Sequence, residues 1–444
     1  MDAWRFATAA EQGRAIAKGD LDPVVLTQAY LDAAANHPAG GRIYARLTPT
    51  RALAEAEAAR ARVAQGQRRH ALDGVALSWK DLVDSAGIAT EAGTRMMAGR
   101  TPEQDAEVLA TVTHAGGICL GKTHLSEIAF SGLGYNPMTA TPPNVYDAGL
   151  VPGGSSSGGA ASVAFGLAAA AIGTDTGGSI RLPAAWNGLV GFKPTHGAHS
   201  LQGVVPLCAS FDTIGPITRS VEDAALLHTM LSGLKPADLQ DASLRGLRLA
   251  IVDTVVMEDV EEAPARAFDA AVARLTAAGA EIVRLDFSAL REAYDLAGVL
   301  YGGEAWSYWR PYVAEKGDLM FAQIRERVSA GAAVTAAQWI GAWDRLHVIR
   351  QEFAAAIADV DAVICPTAAL LPPETARIAA DPDYYKTTNL KALRNTRMGN
   401  LMGLCGVSVP TGAKACGLLV NGAGGADNAT LRIARAVEQA LAEG

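Results

Sequence analysis

The sequence has few of the features that disulfide-rich and zinc-binding proteins need. Only five of its 444 residues are cysteines, an odd number, and no two of them form a Cys-x-x-Cys pair. A disulfide framework or a zinc site is therefore not expected, whereas a reducing compartment is. The cysteines are Cys119, Cys208, Cys365, Cys405 and Cys416.

Positive charge, aromatic side chains and long apolar runs are also scarce. The net charge is −8 and only 6% of residues are aromatic, which disfavours surfaces for nucleic acid or anionic membranes. The longest apolar run, residues 163–173, is shorter than the roughly 20 residues that span a bilayer. The first residues, MDAWRFATAAEQG, lack the basic and apolar regions of a signal peptide. We therefore expect a cytoplasmic protein with no nucleic-acid or membrane partner.

The order of the predicted elements indicates an α/β fold. Helical spacing is typical of residues 1–69, where Asp22 before Pro23 predicts a helix start, and of residues 287–358. Elsewhere short apolar runs alternate with helical stretches, as in α/β proteins. The predicted strands are 75–79, 118–120, 190–192, 249–252, 281–285 and 360–365, and the predicted helices are 106–115, an alanine-rich 160–173, 262–278 and 428–441. No repeat or long linker divides the chain, so we predict one domain over 1–444.

Residues 116–123 match the phosphate-binding pattern G-x4-G-K-[ST] letter by letter. A P-loop needs a strand before the loop and a helix after it. Here Ile118, Cys119 and Leu120 instead predict a strand inside the motif, and no Walker-B-like strand follows. We interpret this segment as a strand that ends in a turn.

The stretch 152–159, Pro-Gly-Gly-Ser-Ser-Ser-Gly-Gly, contains a second misleading pattern. Residues 154–158 fit the nucleophile elbow G-x-S-x-G, with Ser156 at its centre. An elbow needs a strand that leads directly into it, and residues 144–152 make a poor strand. The histidines that follow lie in no recognisable triad setting; they are His196, His199, His228 and His347. Ser156 and Ser157 are instead expected to cap the next helix.

A second Gly/Ser loop occupies residues 173–181. Its residues Gly177, Gly178 and Ser179 present successive backbone N–H groups, two of them without a Cβ, as in an anion-binding concavity. Ser179 is therefore placed as a nucleophile beside an oxyanion site. Its base need not be a histidine, because a buried neutral lysine can serve.

Lys80 is the candidate base, since it follows the apolar run 75–79. A lysine in such a setting either has a lowered pKa or pairs with a carboxylate. Asp81 and Asp84 are the carboxylates nearest in sequence. The residues alone leave both alternatives open.

Taken together, these segments resemble the amidase signature family of hydrolases, over nearly the whole chain and most densely from about 70 to 230. The matching segments are SWKDL at 78–82, GKTHLSEIAF at 121–130, VPGGSSSGG at 151–159, GTDTGGSIRLP at 173–183 and GLVGFKPT at 188–195, with echoes at 210–216, 364–367 and 430–441. The resemblance implies one large mixed β-sheet flanked by helices on both faces.

The resemblance also implies a Ser–Ser–Lys triad. Lys80 matches the catalytic lysine, Ser155 a bridging serine held by a cis peptide bond, and Ser179 the nucleophile. The implied oxyanion donors are the backbone N–H groups of Thr176, Gly177, Gly178 and Ser179. Asp175 and Arg181 flank the nucleophile loop and are expected to support it, with Arg181 in an ion pair with Asp175 or Asp81; a grip of Arg181 on a substrate carboxylate is the alternative.

Several residues are candidates for the substrate pocket. Our candidates after residue 129 are Phe130, Ser131 and Tyr135, and the helical region 287–358 adds Trp306, with Tyr301, Trp309 and Trp339 as further aromatics. Tryptophans lining the acyl site would favour aryl or apolar amides over small dicarboxylic ones.

The expected activity is hydrolysis of a small-molecule amide, with no metal and no cofactor, and the sequence is compatible with a homodimer. The alternative is the glutaminase-type component of a tRNA-dependent amidotransferase, which needs a partner protein. Residues 125–130, LSEIAF, lack the Asp-Glu-Phe pair associated with that component.

Overall fold

Eleven strands hydrogen-bond into one mixed sheet in the computed structural model, which describes residues 1–442. The order across the sheet is β1-β3-β2-β4-β6-β5-β10-β11-β9-β7-β8. Two parallel groups, β3-β2-β4 and β9-β7-β8, are joined by antiparallel neighbours. The strands are β1 (Tyr44–Leu47), β2 (Ala76–Lys80), β3 (Ile118–Thr123), β4 (Ala170–Thr174), β5 (Val190–Lys193), β6 (Ile214–Thr218), β7 (Arg248–Val252), β8 (Glu281–Leu285), β9 (Ala362–Pro366), β10 (Cys405–Pro410) and β11 (Gly417–Gly422).

Helices fill the connections between strands. As predicted, Asp22 caps one of them: its carboxylate accepts the N–H groups of Val24 and Val25. The helices are α1 (Asp2–Phe6), α2 (Ala9–Lys18), α3 (Pro23–Asn36), α4 (Gly40–Ile43), α5 (Pro49–Ala64), α6 (Glu107–His114), α7 (Ser157–Ala164), α8 (Arg181–Trp186), α9 (Val221–Ser232), α10 (Glu262–Ala277), α11 (Ala289–Lys316), α12 (Ala322–Ser329), α13 (Ala336–Ala356), α14 (Thr375–Ala380), α15 (Pro382–Ala392), α16 (Arg394–Leu401) and α17 (Asp427–Ala442).

Both faces of the sheet are covered, as the alternation along β4 shows. Ala170 and Ile172 pack into the largest hydrophobic cluster on one face, whereas Ala171 between them packs with Ala160 and Val163 of α7 on the other. Successive side chains of a strand point to opposite faces, so each face has its own apolar core. The predicted α/β fold with helices on both faces is confirmed.

The prediction of an alanine-rich helix over 160–173 is wrong. The helix α7 ends at Ala164, and residues 170–174 form the central strand β4. A short apolar run has no period that separates a buried strand from a buried helix, and here parallel pairing with β2 decides. Strand β1 within the N-terminal helical region, and β6, β10 and β11, were also not predicted as strands.

The central parallel strands position the site. Lys80 ends β2, Thr174 ends the neighbouring β4, and carboxyl ends of parallel strands meet at one edge of a sheet. All five cysteines are buried and none forms a disulfide. No helix among residues 1–442 is long and apolar enough to cross a membrane.

Candidate active site

Lys80 lies fully buried at the carboxyl end of β2. Its Nζ is 2.7 Å from the hydroxyl of Ser155 and 2.8 Å from that of Thr174, the last residue of β4. Within residues 1–442, no carboxylate comes within ion-pair distance of Nζ. The lysine therefore has hydroxyl partners, which can exchange protons with it, and no fixed counter-ion in this part of the chain.

The two acidic residues that follow Lys80 have other partners. Asp81 pairs with Arg46 at 2.7 Å and with Lys122 at 3.5 Å. Asp84 pairs with Arg100 at 2.6 Å. The alternative that Lys80 forms an ion pair with one of them is therefore wrong.

The surroundings of Lys80 favour its neutral amine. Burial lowers the pKa of Lys80 to about 7, although the charges of Asp212 and Asp175 oppose the shift. Asp212 accepts a hydrogen bond from the hydroxyl of Thr176 at 2.5 Å and two more from the N–H groups of Leu207 and Cys208. Near neutral pH, a large part of Lys80 can therefore act as a base.

The loop that carries Ser155 approaches its neighbours too closely for side chains. The peptide bond between Gly154 and Ser155 is cis, as the resemblance implied. A Cβ on Gly154 would lie 2.7 Å from the backbone N of Gly134, and Gly153 has a φ of +76°. Glycines are therefore required at both positions for Ser155 to reach Lys80.

The next two serines do not cap α7 as predicted. Ser156 occupies the N-cap position but makes no side-chain capping bond. Its hydroxyl donates to the carbonyl of Thr174 at 3.3 Å, and that of Ser157 donates to the carbonyl of His124 at 3.4 Å. The two hydroxyls tie the start of α7 to the end of β4 and to the segment that follows β3.

Ser179 lies at the wall of a small cavity, next to several free backbone N–H groups. The N–H groups of Thr176, Gly177 and Ser179 have no acceptor among the described residues. The N–H of Gly178 differs, because it donates to Asp175 Oδ1 at 2.8 Å. We therefore correct the expected set of oxyanion donors by removing Gly178.

No hydrogen bond joins the hydroxyls of Ser155 and Ser179 in this structure. The two loops are nevertheless adjacent, since the N–H of Ser156 donates to the carbonyl of Ser179 at 3.2 Å. Catalytic hydrogen bonds are often long in an unliganded enzyme and tighten when substrate binds. The geometry thus brings together Lys80 and Ser155 directly, and Ser179 through the adjoining loop.

Asp175 and Arg181 form a fully buried ion pair behind this loop. The guanidinium donates twice to the carboxylate, at 2.8 and 3.0 Å, and also to Asn400 at 2.6 Å. The same carboxylate accepts the N–H groups of Gly178 and Ile180. Arg181 therefore fixes the loop rather than facing the cavity, as the ion-pair interpretation predicts.

Two adjoining cavities lead to Ser179. The inner one, of about 30 Å³, is lined by Ser179, Thr176 and Gly177. The outer one, of about 600 Å³, opens towards the surface between α11 and α16. Four residues line both and mark the passage between them: Phe130, Tyr301, Arg327 and Arg397.

The structure separates the predicted pocket residues into two groups. Phe130 and Ser131 line the inner cavity with Ser179. Tyr135 does not line it and packs edge-on against Phe321, with ring centroids 5.7 Å apart. Trp306 is half-buried against the large core and lines neither cavity. The helical spacing of Trp306 and Trp309 therefore reflects packing against the core rather than a pocket wall.

The other tryptophans also lie outside the passage. Trp309 is buried and donates to the carbonyl of Pro206 at 3.1 Å, and Trp339 lines a separate cavity beside Glu304. Tyr301 alone of the helical-region aromatics reaches both cavities.

Four residues at the site were not predicted from the sequence. Thr174 and Asp212 lie within or beside segments that carry the family resemblance, so their position was a usable signal. Arg327 and Arg397 lie on α12 and α16, far along the chain from the glycine-rich loops. No local pattern distinguishes them from surface arginines.

Comparisons with known proteins identify the family of this chain. The family model described as Amidase matches residues 25–431. The chain is 34% identical to 2-amino-5-chloromuconic acid deaminase of Comamonas testosteroni, covering 98% of this chain and 96% of that protein. It is 32% identical to a glutamyl-tRNA(Gln) amidotransferase subunit of Thermosynechococcus vestitus, covering 92% of each. A crystal structure of an amidase superimposes with a TM-score of 0.88 at 30% identity, over 98% of this chain and 99% of that one. The chain therefore belongs to the amidase family, the amidase signature hydrolases that its motifs resemble.

Proposed function

We propose that the protein hydrolyses a carboxylic amide through an acyl intermediate on Ser179, giving an acid and ammonia or an amine. The observation that carries this proposal is the environment of Lys80. The lysine is buried, has no carboxylate partner among residues 1–442, and lies 2.7 Å from the hydroxyl of Ser155. A neutral amine in that position is a base at the start of a proton relay.

The relay moves one proton in each direction. Neutral Lys80 takes a proton from Ser155, and Ser155 takes one from Ser179 as the Ser179 oxygen attacks the amide carbonyl. The relay then returns a proton to the leaving nitrogen, since an amine does not depart as an anion. Water then gives a proton to the relay as it attacks the acyl-Ser179 ester, and the relay returns a proton to the Ser179 oxygen as the acid leaves.

The backbone amides beside Ser179 stabilise the tetrahedral oxyanion. Three N–H groups have no acceptor within the described part of the chain, those of Thr176, Gly177 and Ser179. One donor aimed at such an oxyanion contributes about 2.7–4 kcal/mol to lowering the barrier. The ion pair of Asp175 and Arg181 holds these donors in place before the substrate arrives.

A library of primary amides, anilides and esters tests the proposal, with Ser179→Ala as the blank and Ser156→Ala as the matched control. We expect turnover by the wild type and by Ser156→Ala, and none by Ser179→Ala. Ser179→Ala turnover equal to that of the wild type would refute the assignment, as would a loss confined to Ser156→Ala.

The likeness to glutamyl-tRNA(Gln) amidotransferase subunits supports a second candidate, a glutaminase that works with a partner. The LSEIAF segment at 125–130 counts against it, because it lacks the Asp-Glu-Phe pair. Glutamine hydrolysis that appears only when a partner protein is added would favour this candidate. Turnover of other amides by the purified chain alone would favour the first.

A further inference from the structure

The outer cavity is lined by three cations of the adjoining helices α15 and α16, and their partners differ. Lys391 pairs with Asp259 at 2.8 Å. Arg394 donates to Asn395 and to the carbonyl of Val256. Arg397 makes no side-chain hydrogen bond and no ion pair with any residue from 1 to 442. It lines the passage between the two cavities, where its guanidinium can meet a ligand.

Arg327 lines the same passage from α12 and also has no carboxylate partner among residues 1–442. It donates to the carbonyl of Phe130 at 2.8 Å and lies over the Phe130 ring, 4.1 Å from its centroid. Burial first, and then the positive charge of Arg397, lower the pKa of Arg327 to about 10. Both guanidinium groups line the same passage, so their like charges repel each other there.

A third donor completes the group. Tyr301 is 9% exposed, lines both cavities, and its hydroxyl has no hydrogen-bond partner among the described residues. Buried polar groups without partners are rare in folded proteins, and unneutralised like charges in one cavity are costly. An anion bound between these residues would accept a hydrogen bond from the Tyr301 hydroxyl and would neutralise the positive charges of Arg327 and Arg397.

We propose that the substrate of this site carries a carboxylate, and that Arg397 binds it together with Arg327 and Tyr301. The inference rests on the proposed function, because it assigns the substrate class of the same site. Guanidinium groups bind carboxylates through paired N–H donors, which fixes orientation as well as charge. Arg397 selects for the charge, and the apolar wall of the cavity holds the chain between the carboxylate and the amide.

The position of Arg397 limits the length of that chain. Its Nε lies 3.9 Å from the point that a Cβ on Gly177 would occupy, and Gly177 is two residues before Ser179. The carboxylate therefore sits a few bonds from the reacting carbonyl, as in a monoamide of a short dicarboxylic acid. This replaces the expectation of aryl or apolar amides, since Trp306 lines neither cavity.

The first experiment measures the preference for charge. kcat/KM is determined for succinamic, glutaramic and adipamic acids against butyramide, valeramide and hexanamide. We expect the best acid to exceed its neutral counterpart by about 100-fold, and Arg397→Met to reduce that ratio to less than about threefold. Arg397→Lys should restore part of the ratio. Equal turnover of acids and neutral amides by the wild type would overturn the proposal.

Arg325→Gln is the matched control, because Arg325 lies on the same helix as Arg327 but forms an exposed ion pair with Asp318. It removes one positive charge outside the cavity, and we expect it to keep the wild-type ratio. A ratio reduced as strongly in Arg325→Gln as in Arg397→Met would overturn the proposal, since net charge alone would then explain the preference.

A binding measurement separates this inference from the proposed function. Thermal unfolding of the wild type, Arg397→Met and Arg325→Gln is followed with succinate, glutarate and adipate, and with the corresponding diamides. We expect a dicarboxylate to raise the Tm of the wild type and of Arg325→Gln only. If a dicarboxylate raised the Tm but no amide were hydrolysed, the proposed hydrolase activity would be refuted and the carboxylate site would be supported. Turnover with no dicarboxylate stabilisation and no charge preference would refute the site alone.

Discussion

Two lysines on neighbouring strands of the sheet show how a contact decides the role of a buried cation. Lys80 on β2 and Lys122 on β3 are both fully buried, and burial lowers the pKa of each. Lys122 lies 3.5 Å from Asp81 and donates to the carbonyl of Val83 and the hydroxyl of Thr90. Lys80 has no carboxylate contact within the part of the chain that the structure describes.

We propose that this difference makes Lys122 a structural cation and Lys80 a base. Asp81 favours the charged form of Lys122, which has carbonyl and hydroxyl acceptors for its protons. Lys80 faces only the oxygens of Ser155 and Thr174 among residues 1–442, and its pKa of about 7 leaves a neutral amine available. Both lysines follow short apolar runs, residues 75–79 and 118–120, so the local sequence does not determine which contacts each lysine makes.

Removal of Lys80 should have the largest effect on catalysis. We expect Lys80→Met to lower kcat/KM about 1,000-fold, the contribution of a positioned general base. Stability should not fall, because the methionine removes a buried amine. The folded-state pKa lies below the unfolded value of about 10.5, so the unfolded chain binds more protons between pH 7 and 10. The wild type should therefore gain stability as pH rises through that window.

Thermal unfolding of the wild type and of Lys80→Met from pH 6 to 10 tests whether the stability of the wild type rises with pH. We expect the Tm of Lys80→Met to equal or exceed that of the wild type at pH 6, and the gap to shrink towards pH 10. A Tm well below the wild type at pH 6 with near-normal turnover would assign Lys80 a structural role.

Removal of Lys122 should lower stability and leave catalysis nearly unchanged, the opposite of what we expect for Lys80. Lys122→Met leaves Asp81 buried with Arg46 as its remaining ion-pair partner and the N–H of Glu91 as a further donor. We expect a loss of about 3 kcal/mol in the free energy of unfolding, as when one member of a buried ion pair is removed. The kcat of the folded fraction should stay within about threefold of the wild type. Urea unfolding and initial rates on the same sample measure both quantities.

If Lys122→Met instead abolished turnover without loss of stability, the comparison of the two lysines would fail. Lys122→Arg is the companion variant, because it keeps the charge and should retain part of the lost stability.

Substitution of Asp212 should have the smallest effect, a shift in the pH dependence of kcat/KM. Its negative charge is the larger of the two that raise the pKa of Lys80 against burial. Asp212→Asn should therefore lower the pKa of Lys80 and move the rise of kcat/KM to lower pH, by less than about one pH unit. Asp84→Asn is the control, because Asp84 pairs with Arg100 and does not contribute to the Lys80 pKa. A shift to higher pH would contradict the assigned electrostatics.

The sequence predicts those parts of the fold and site that depend on residues close together in the chain. Lys80, Ser155 and Ser179 each lie in a short motif, and the strand end that carries Lys80 follows from an apolar run bounded by turns. Strand β4, which carries Thr174, was missed, because an apolar run has the same appearance in a buried helix.

The parts that could not be predicted depend on contacts between distant segments. The N–H of Gly178 is used by Asp175, which only the three-dimensional loop shows. Asp81 pairs with Lys122 and Arg46 rather than with its neighbour Lys80, because the pairing of β3 with β2 and β1 sets the distances. Arg397 reaches the cavity of Ser179 from 218 residues further along the chain, a distance at which no sequence spacing is informative.

The central claim, a neutral Lys80 that activates Ser179, is tested most directly by the pH dependence of fluorophosphonate labelling. The rate of labelling is measured from pH 5 to 9 in the wild type and in Lys80→Met, and the modified peptide is identified by mass spectrometry. We predict one adduct, on Ser179, whose rate in the wild type rises with pH through a midpoint near 7. In Lys80→Met the rate should be at least about 100-fold lower and should show no such midpoint. An adduct on Ser155 or Ser156, or a rate and midpoint unchanged in Lys80→Met, would contradict the account.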